Sequence, residues 1–229
     1  AICVELSAKY TQQSKQKVIV VITNDMARRA LSINDIKAYN PKILEFEGAW
    51  RDAIGCPELK GTWLVWGGSA NGKTRFALQL AKYLCKFGRV VYDSLEEGLS
   101  LSLRMAILQV GMVDVRRKFT LLDKMRVNEL REVLSKKKQS PNIVIIDSLQ
   151  YTGMSYKEYQ DLRDSFPNKL FVFISHADGR NPKGDVGKSV RYDANVKIYV
   201  EGYKAFPQSR YGGGKAFTIW QEGAERYWT

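Results

Sequence analysis

The 229 residues contain one histidine and three cysteines, and the cysteines, Cys3, Cys56 and Cys85, never fall in a Cys-x-x-Cys pair. A histidine-rich metal centre is excluded, and neither a disulfide framework nor a zinc site is indicated. Long hydrophobic runs are missing too. The longest, Lys17–Ile22, Ile143–Ile146 and Leu170–Ile174, are strand-sized, far short of the roughly 20 residues a membrane helix needs. The first residues, Ala-Ile-Cys-Val-Glu, lack the basic and then apolar pattern of a secretory signal. Together these absences lead to the expectation of a cytoplasmic chain with no membrane partner. Negative charge is also scarce: 24 Asp and Glu face 36 Lys and Arg, a net charge of +12, which favours a polyanionic partner. The excess is concentrated in the middle of the chain, around Arg116-Arg117-Lys118 and Lys136-Lys137-Lys138.

What is present is an ordinary globular balance, 45% hydrophobic and 26% charged, on a chain long enough for one sizeable core and a modest extension. From Thr62 onward short apolar strands alternate with amphipathic, helix-length stretches, the pattern of an α/β domain with a mainly parallel sheet and helices on both faces. The pattern predicts strands at 62–66, 89–94, 118–122, 142–147 and 169–175, with helices at 73–87, 98–110, 126–138 and 155–165. Residues 177–191, rich in Gly and charge, read as an exposed, mobile loop. Antiparallel strands are expected after it at about 195–201, 203–209 and 215–221. Residues 1–60 read as an N-terminal extension, with a strand at Val18–Ile22 and short helices at 24–39 and 43–54, and 61–229 as the core.

The chemistry-bearing motif is Gly67-Gly68-Ser69-Ala70-Asn71-Gly72-Lys73-Thr74, which matches G-x-x-x-x-G-K-[ST] between an apolar strand and a helix. The glycines let the backbone N–H groups close around phosphate oxygens, and the helix presents its positive dipole end to them. The expected nucleotide contacts are these eight residues together with Arg75. Lys73 should reach the β- and γ-phosphates of ATP, and Thr74 should give its hydroxyl to Mg²⁺. Asp147, which ends the apolar run Ile143–Ile146, is expected to hold the magnesium shell through water. A base to polarise the attacking water is expected at the end of the second strand, where Glu96 is the first choice and Glu97 the second.

These residues resemble the RecA superfamily, in the branch of RadA, KaiC and the DnaB-type helicases. Ser94-Leu95-Glu96-Glu97 is similar to the segment carrying that branch's catalytic glutamate, Asp147-Ser148 to its strand-ending pair, and Ser175-His176 to its polar sensor position. The resemblance implies a RecA-like core and a ring or filament with nucleotide between subunits. It also implies a finger in trans, nominated here as Arg210 in Gln208-Ser209-Arg210-Tyr211-Gly212, where Gln208 departs from the helicases' lysine. The segment after His176 corresponds to a recombinase DNA-binding loop and offers Arg180, Lys183, Lys188 and Arg191 to a phosphate backbone. Tyr151 and Tyr156 are further candidates, for base stacking. The leading expectation is a DNA-stimulated ATPase acting on single-stranded DNA as an oligomer, in recombination or replication. A DnaB-like translocating helicase and a nucleotide-dependent switch or loader that binds a replication or recombination protein are the alternatives.

Overall fold

The computed structural model describes residues 30–136 and 138–229. The expected strand at Val18–Ile22 lies outside them. The chain divides after Pro41 into two units. In the first, helix α1 (Ile33–Ala38) is fixed by a capping box, in which Asp35 N donates to Ser32 Oγ (3.2 Å) and Ser32 N donates to Asp35 Oδ2 (2.9 Å).

The second unit begins at Lys42. Its elements run α2 (Gly48–Ile54), β1 (Gly61–Gly67), α3 (Lys73–Leu84), β2 (Val90–Ser94), α4 (Leu101–Val110), β3 (Phe119–Asp123), α5 (Val127–Ser135) and β4 (Ile143–Asp147). They continue with α6 (Tyr156–Ser165), β5 (Leu170–Asp178), β6 (Asn181–Pro182), α7 (Gly184–Asp193), β7 (Val196–Glu201), β8 (Lys204–Ser209), β9 (Phe217–Thr218) and α8 (Gln221–Trp228). The sheet order is β3-β2-β4-β5-β1-β7-β8-β9, with β6 paired to the end of β5. Every pair from β3 to β7 is parallel; β7, β8 and β9 are antiparallel.

The central strands are buried on both faces, which is why Ile143–Ile146 and Leu170–Ile174 carry no polar alternation. One face packs Trp63, Val65, Ile145, Val172 and Ile198 against α3; the other packs Leu64, Val144, Ile146 and Phe173 against α5, α6 and α7. Residues 42–60 supply buried Leu44, Phe46, Ala53 and Ile54 to the first face. There Phe46 meets Tyr83 edge-on, and Trp50 stacks on Tyr83 and Phe217.

The segment 177–191 departs from its expected form. β5 runs on to Asp178 and folds back on β6, and residues 184–193 form a helix. The reason is close packing: Gly187 lets α7 approach β6 and β5 so nearly that an added Cβ would stand 3.2 Å from Pro182 Cβ and 3.4 Å from Ser175 Oγ. This glycine serves proximity, with no need for a special backbone angle.

Candidate active site

The register of the sheet gathers the expected residues at the carboxyl ends of four adjacent strands. Ser94 aligns with Asp147 across β2 and β4, Asp147 with Ile174 across β4 and β5, and Gly67 with His176 across β5 and β1. Ligands of open α/β sheets bind at this edge.

The loop from Gly67 to Gly72 is held in shape before any ligand arrives. Gly72 adopts φ 95° and caps α3, while Ala70 sits at φ 59°, which costs an L residue roughly 1 kcal/mol. Asn71 offsets this by bracing the loop from within and from outside. Its Nδ2 donates to Ser69 O (2.9 Å), and its Oδ1 accepts from Gly202 N (2.8 Å) in the β7–β8 turn. Gly67 lies so close to the next strand that an added Cβ would collide with the carbonyl oxygen of Val200. We therefore expect Gly67→Ala to destabilise the protein by more than about 2 kcal/mol, read as a lowered urea midpoint.

Lys73 Nζ donates to Gly68 O (2.7 Å), a carbonyl of the same loop. Burial lowers its pKa, and the neighbouring charges of Asp147 and Glu96 draw it back up. Thr74 follows on the first turn of α3, and the Arg75 guanidinium lies 5.5 Å from the centre of the Trp220 ring. Asp147 is almost wholly buried, and its Oδ2 accepts from the hydroxyl of Tyr92. Burial pushes the Asp147 carboxyl up to about 6, against the opposing pull of the Tyr92 bond and Lys73. Tyr92 itself is raised well above its ordinary value by burial and by that carboxylate. It was invisible in the sequence because only the β2–β4 register places it diagonally across from Asp147. Asp93, one residue on, is likewise pushed up to about 6 by burial and accepts from Met125 N (3.1 Å).

Glu96 and His176 are brought together: Glu96 Oε2 and His176 Nε2 stand 2.8 Å apart, each partly open to solvent. Glu96 N also donates to Asp147 O (3.1 Å), which ties the second-strand turn to the fourth strand. Glu97 turns away, its Oε2 accepting from Ser100 Oγ (2.9 Å) and Ser102 Oγ (2.6 Å) at the start of α4. That contact accounts for Glu97 as a helix-start acid.

Gln150 links this pair to the segment behind it. His176 N donates to Gln150 Oε1 (3.1 Å), and Gln150 Nε2 donates to Ser175 Oγ (2.8 Å) and Lys183 O (3.0 Å). A long polar residue just past a strand-ending Asp was the only signal available for it. Tyr151 stands beside His176 with ring centres 6.1 Å apart, whereas Tyr156 donates to Asp193 Oδ2 (2.9 Å) and stacks on Tyr159.

Of the four basic residues beyond His176, Arg180, Lys183 and Lys188 are exposed, and Lys188 stands 4.0 Å from Asp185. Arg191 is half-buried, donates to Asn181 Oδ1 (2.7 Å) and lies over the Trp66 ring. Lys188 and Arg191 lie on α7 itself, and Arg180 and Arg191 border one cavity with Trp66. Arg210 lies at the opposite edge of the sheet from Gly67, where its N–H donates to Asn195 O (3.1 Å). The structure does not bring it to its own chain's loop. Of the two lysines near it in sequence, Lys215 pairs with Asp52 (3.0 Å) and Lys204 lies against Trp228.

No family model matches the chain, and no curated protein matches it. Solved structures do. One is described as a unique ATP synthase subunit, NeqB, from Nanoarcheaum equitans, with a TM-score of 0.54 and 10% identity over 70% of this chain and 51% of that one. Another is the flagellar accessory protein FlaH from Methanocaldococcus jannaschii, with a TM-score of 0.53 and 12% identity over 78% of this chain and 94% of that one. The chain thus spans about half the length of the first. At these identities the likeness shows the fold alone; the fold is RecA-like, as the motif resemblance implied, and its mainly parallel sheet is the one the alternating strands and helices predicted.

Proposed function

We propose that the protein binds and hydrolyses ATP and acts on single-stranded DNA as an oligomer. The observation that carries the first half is the convergence of a preformed phosphate loop, Lys73, the buried Asp147 and the Glu96–His176 pair on one edge of the sheet. That one of the similar structures is titled an ATP synthase subunit agrees with it.

The residues fit a magnesium-bound nucleotide. Among the described residues no three His, Cys, Asp or Glu side chains gather to hold a metal. One hydroxyl and one carboxylate, Thr74 and Asp147, suit an ion that takes its remaining ligands from phosphate and water. When bound, such an ion would supply charge neutralisation at the phosphate oxygens. The N–H groups at the start of α3 and in the loop receive the phosphates, and Lys73 exchanges its bond to Gly68 O for a phosphate oxygen. Glu96 accepts the proton of the attacking water, and His176 orients the Glu96 carboxylate and reports on the γ-phosphate. Arg210, remote from its own loop, is assigned to the nucleotide of a neighbouring copy.

The DNA half rests on the net charge of +12 and on the basic segment that follows His176. Recombination or replication is the setting this reading implies. Phosphate release measured with and without an oligo-dT strand tests it. We expect the strand to stimulate turnover several-fold at low salt; equal rates at every strand concentration would remove DNA from the proposal and leave the ATPase.

A further inference from the structure

Beside the phosphate loop, on the other face of the sheet, lies a cavity of about 510 Å³ that the nucleotide reading does not use. Its aromatic lining comes from Trp66, Tyr199, Phe206 and Trp228. Trp66 and Tyr199 are neighbours on β1 and β7 with ring centres 5.8 Å apart, and Phe206 meets Trp228 edge-on at 5.9 Å. Alternation along β7 and β8 turns Ile198, Val200 and Ala205 into the core and Tyr199 and Phe206 outward, where they stay half-exposed. Rings left half-open on a sheet face offer π-surfaces to a flat ligand.

Two guanidinium groups border these rings. Arg191 lies over Trp66, 4.9 Å from the ring centre, and Arg180 also lines the cavity, its backbone oxygen accepting from Trp66 Nε1 (3.0 Å). Lys204, outside the lining, stands 5.5 Å from the Trp228 ring centre. Against the two guanidinium groups of the lining stands one carboxylate, Glu201, which accepts from the Tyr227 hydroxyl (3.4 Å). An apolar partner would have no use for two guanidinium groups, and a bare phosphate none for four rings. Single-stranded nucleic acid needs both, because its bases stack and its phosphates pair.

The geometry points to this groove as a base-stacking site for single-stranded nucleic acid, with Arg180 and Arg191 on the flanking phosphates. The inference rests on the DNA-binding reading and names where on the chain the strand lies. Two covalent routes join the groove to the nucleotide. Trp66 immediately precedes Gly67, and Arg180 sits on the β5–β6 turn whose base is held by Lys183 N donating to His176 O (2.9 Å) and by Gln150. A shift of His176 with nucleotide state would therefore move Arg180 at the mouth of the groove.

Fluorescence anisotropy of a labelled oligo-dT, with a non-hydrolysable ATP analogue at low salt, tests the assignment. Phe206→Ala and Trp228→Ala should each weaken binding about tenfold, and Phe206→Tyr should stay close to wild type, since stacking is retained. Arg180→Ala should reduce the salt slope of binding by about one. Circular dichroism checks folding; should Phe206→Ala not fold, Trp228→Ala, at an exposed position of the helix α8, carries the comparison. Binding by wild type that both alanine variants leave untouched overturns the groove and spares the DNA reading. No binding by wild type sinks the DNA reading and the groove with it. Alanine variants that lose self-association while keeping oligo-dT affinity would give the groove to a second copy of the chain and overturn the assignment.

Discussion

Glu96→Gln should lower ATP turnover by a factor of about 10² to 10⁴, the usual contribution of a positioned general base, while nucleotide affinity stays within a few-fold of wild type. Gln keeps the size of the side chain and can still bond the His176 ring nitrogen that stands 2.8 Å away. The turn should therefore hold its shape, helped by Glu96 N on Asp147 O, which the substitution leaves alone. What is lost is the capacity to take a proton. Phosphate release and a fluorescent-nucleotide titration on the same preparation separate the two quantities. A variant retaining a third of wild-type turnover would move the base elsewhere. Glu97 would then be a poor replacement, because Ser100 and Ser102 already occupy its carboxylate.

Asp147→Asn should have opposite effects on activity and stability. The substitution removes a negative oxygen from the proposed magnesium shell, and Mg²⁺-dependent hydrolysis should fall to background. Yet in nucleotide-free protein the wild-type carboxylate is a burden on the fold. Burial pushes its pKa from the ordinary 3.8 up to about 6. Below pH 4 the group is protonated in both folded and unfolded chains and contributes nothing. Between pH 4 and pH 6 the unfolded chain ionises it first, so folding takes up a proton and stability falls as pH rises. Above pH 6 the full difference of roughly 2 units costs about 3 kcal/mol. Asn does not titrate. The stability of Asp147→Asn relative to wild type should therefore grow by about that amount between pH 4 and pH 7, as measured by urea unfolding without nucleotide or Mg²⁺. A gap that stays flat with pH would mean that Asp147 is not held in the environment described.

Much of this site could be read from the chain because its parts are local. A strand, a glycine loop and a helix are contiguous from Gly61 to Leu84, Asp147 ends β4, and Glu96 lies two residues past β2. The parts that escaped depend on register or on close approach. Tyr92 looks like one more buried aromatic until β2 is laid beside β4, and Gln150 has no meaning until β5 brings His176 and Lys183 to its two ends. The helix Gly184–Asp193 was hidden by its own glycines. Low helix propensity and charge suggested a loop, whereas Val190 is buried and Gly187 is the contact that lets the helix sit down. The aromatic groove was missed for a related reason. Trp66 and Trp228 are far in sequence from the Tyr199–Phe206 hairpin pair, and each ring alone passes for core.

The strand order also governs how the chain must come together in time. β1, which delivers the phosphate loop, pairs on one side with β5, Gly61 opposite Leu170, and on the other with β7, Trp63 opposite Val196. Both neighbours are synthesised on the order of a hundred residues later, and closing such long loops before any pairing is gained makes for slow folding. During translation the first half of the molecule thus waits with an apolar strand unpaired on both edges, a state open to aggregation. Nascent chains arrested before β5 has emerged should lack a protected β1, and full protease resistance of the loop region should appear only once Glu201 has left the ribosome.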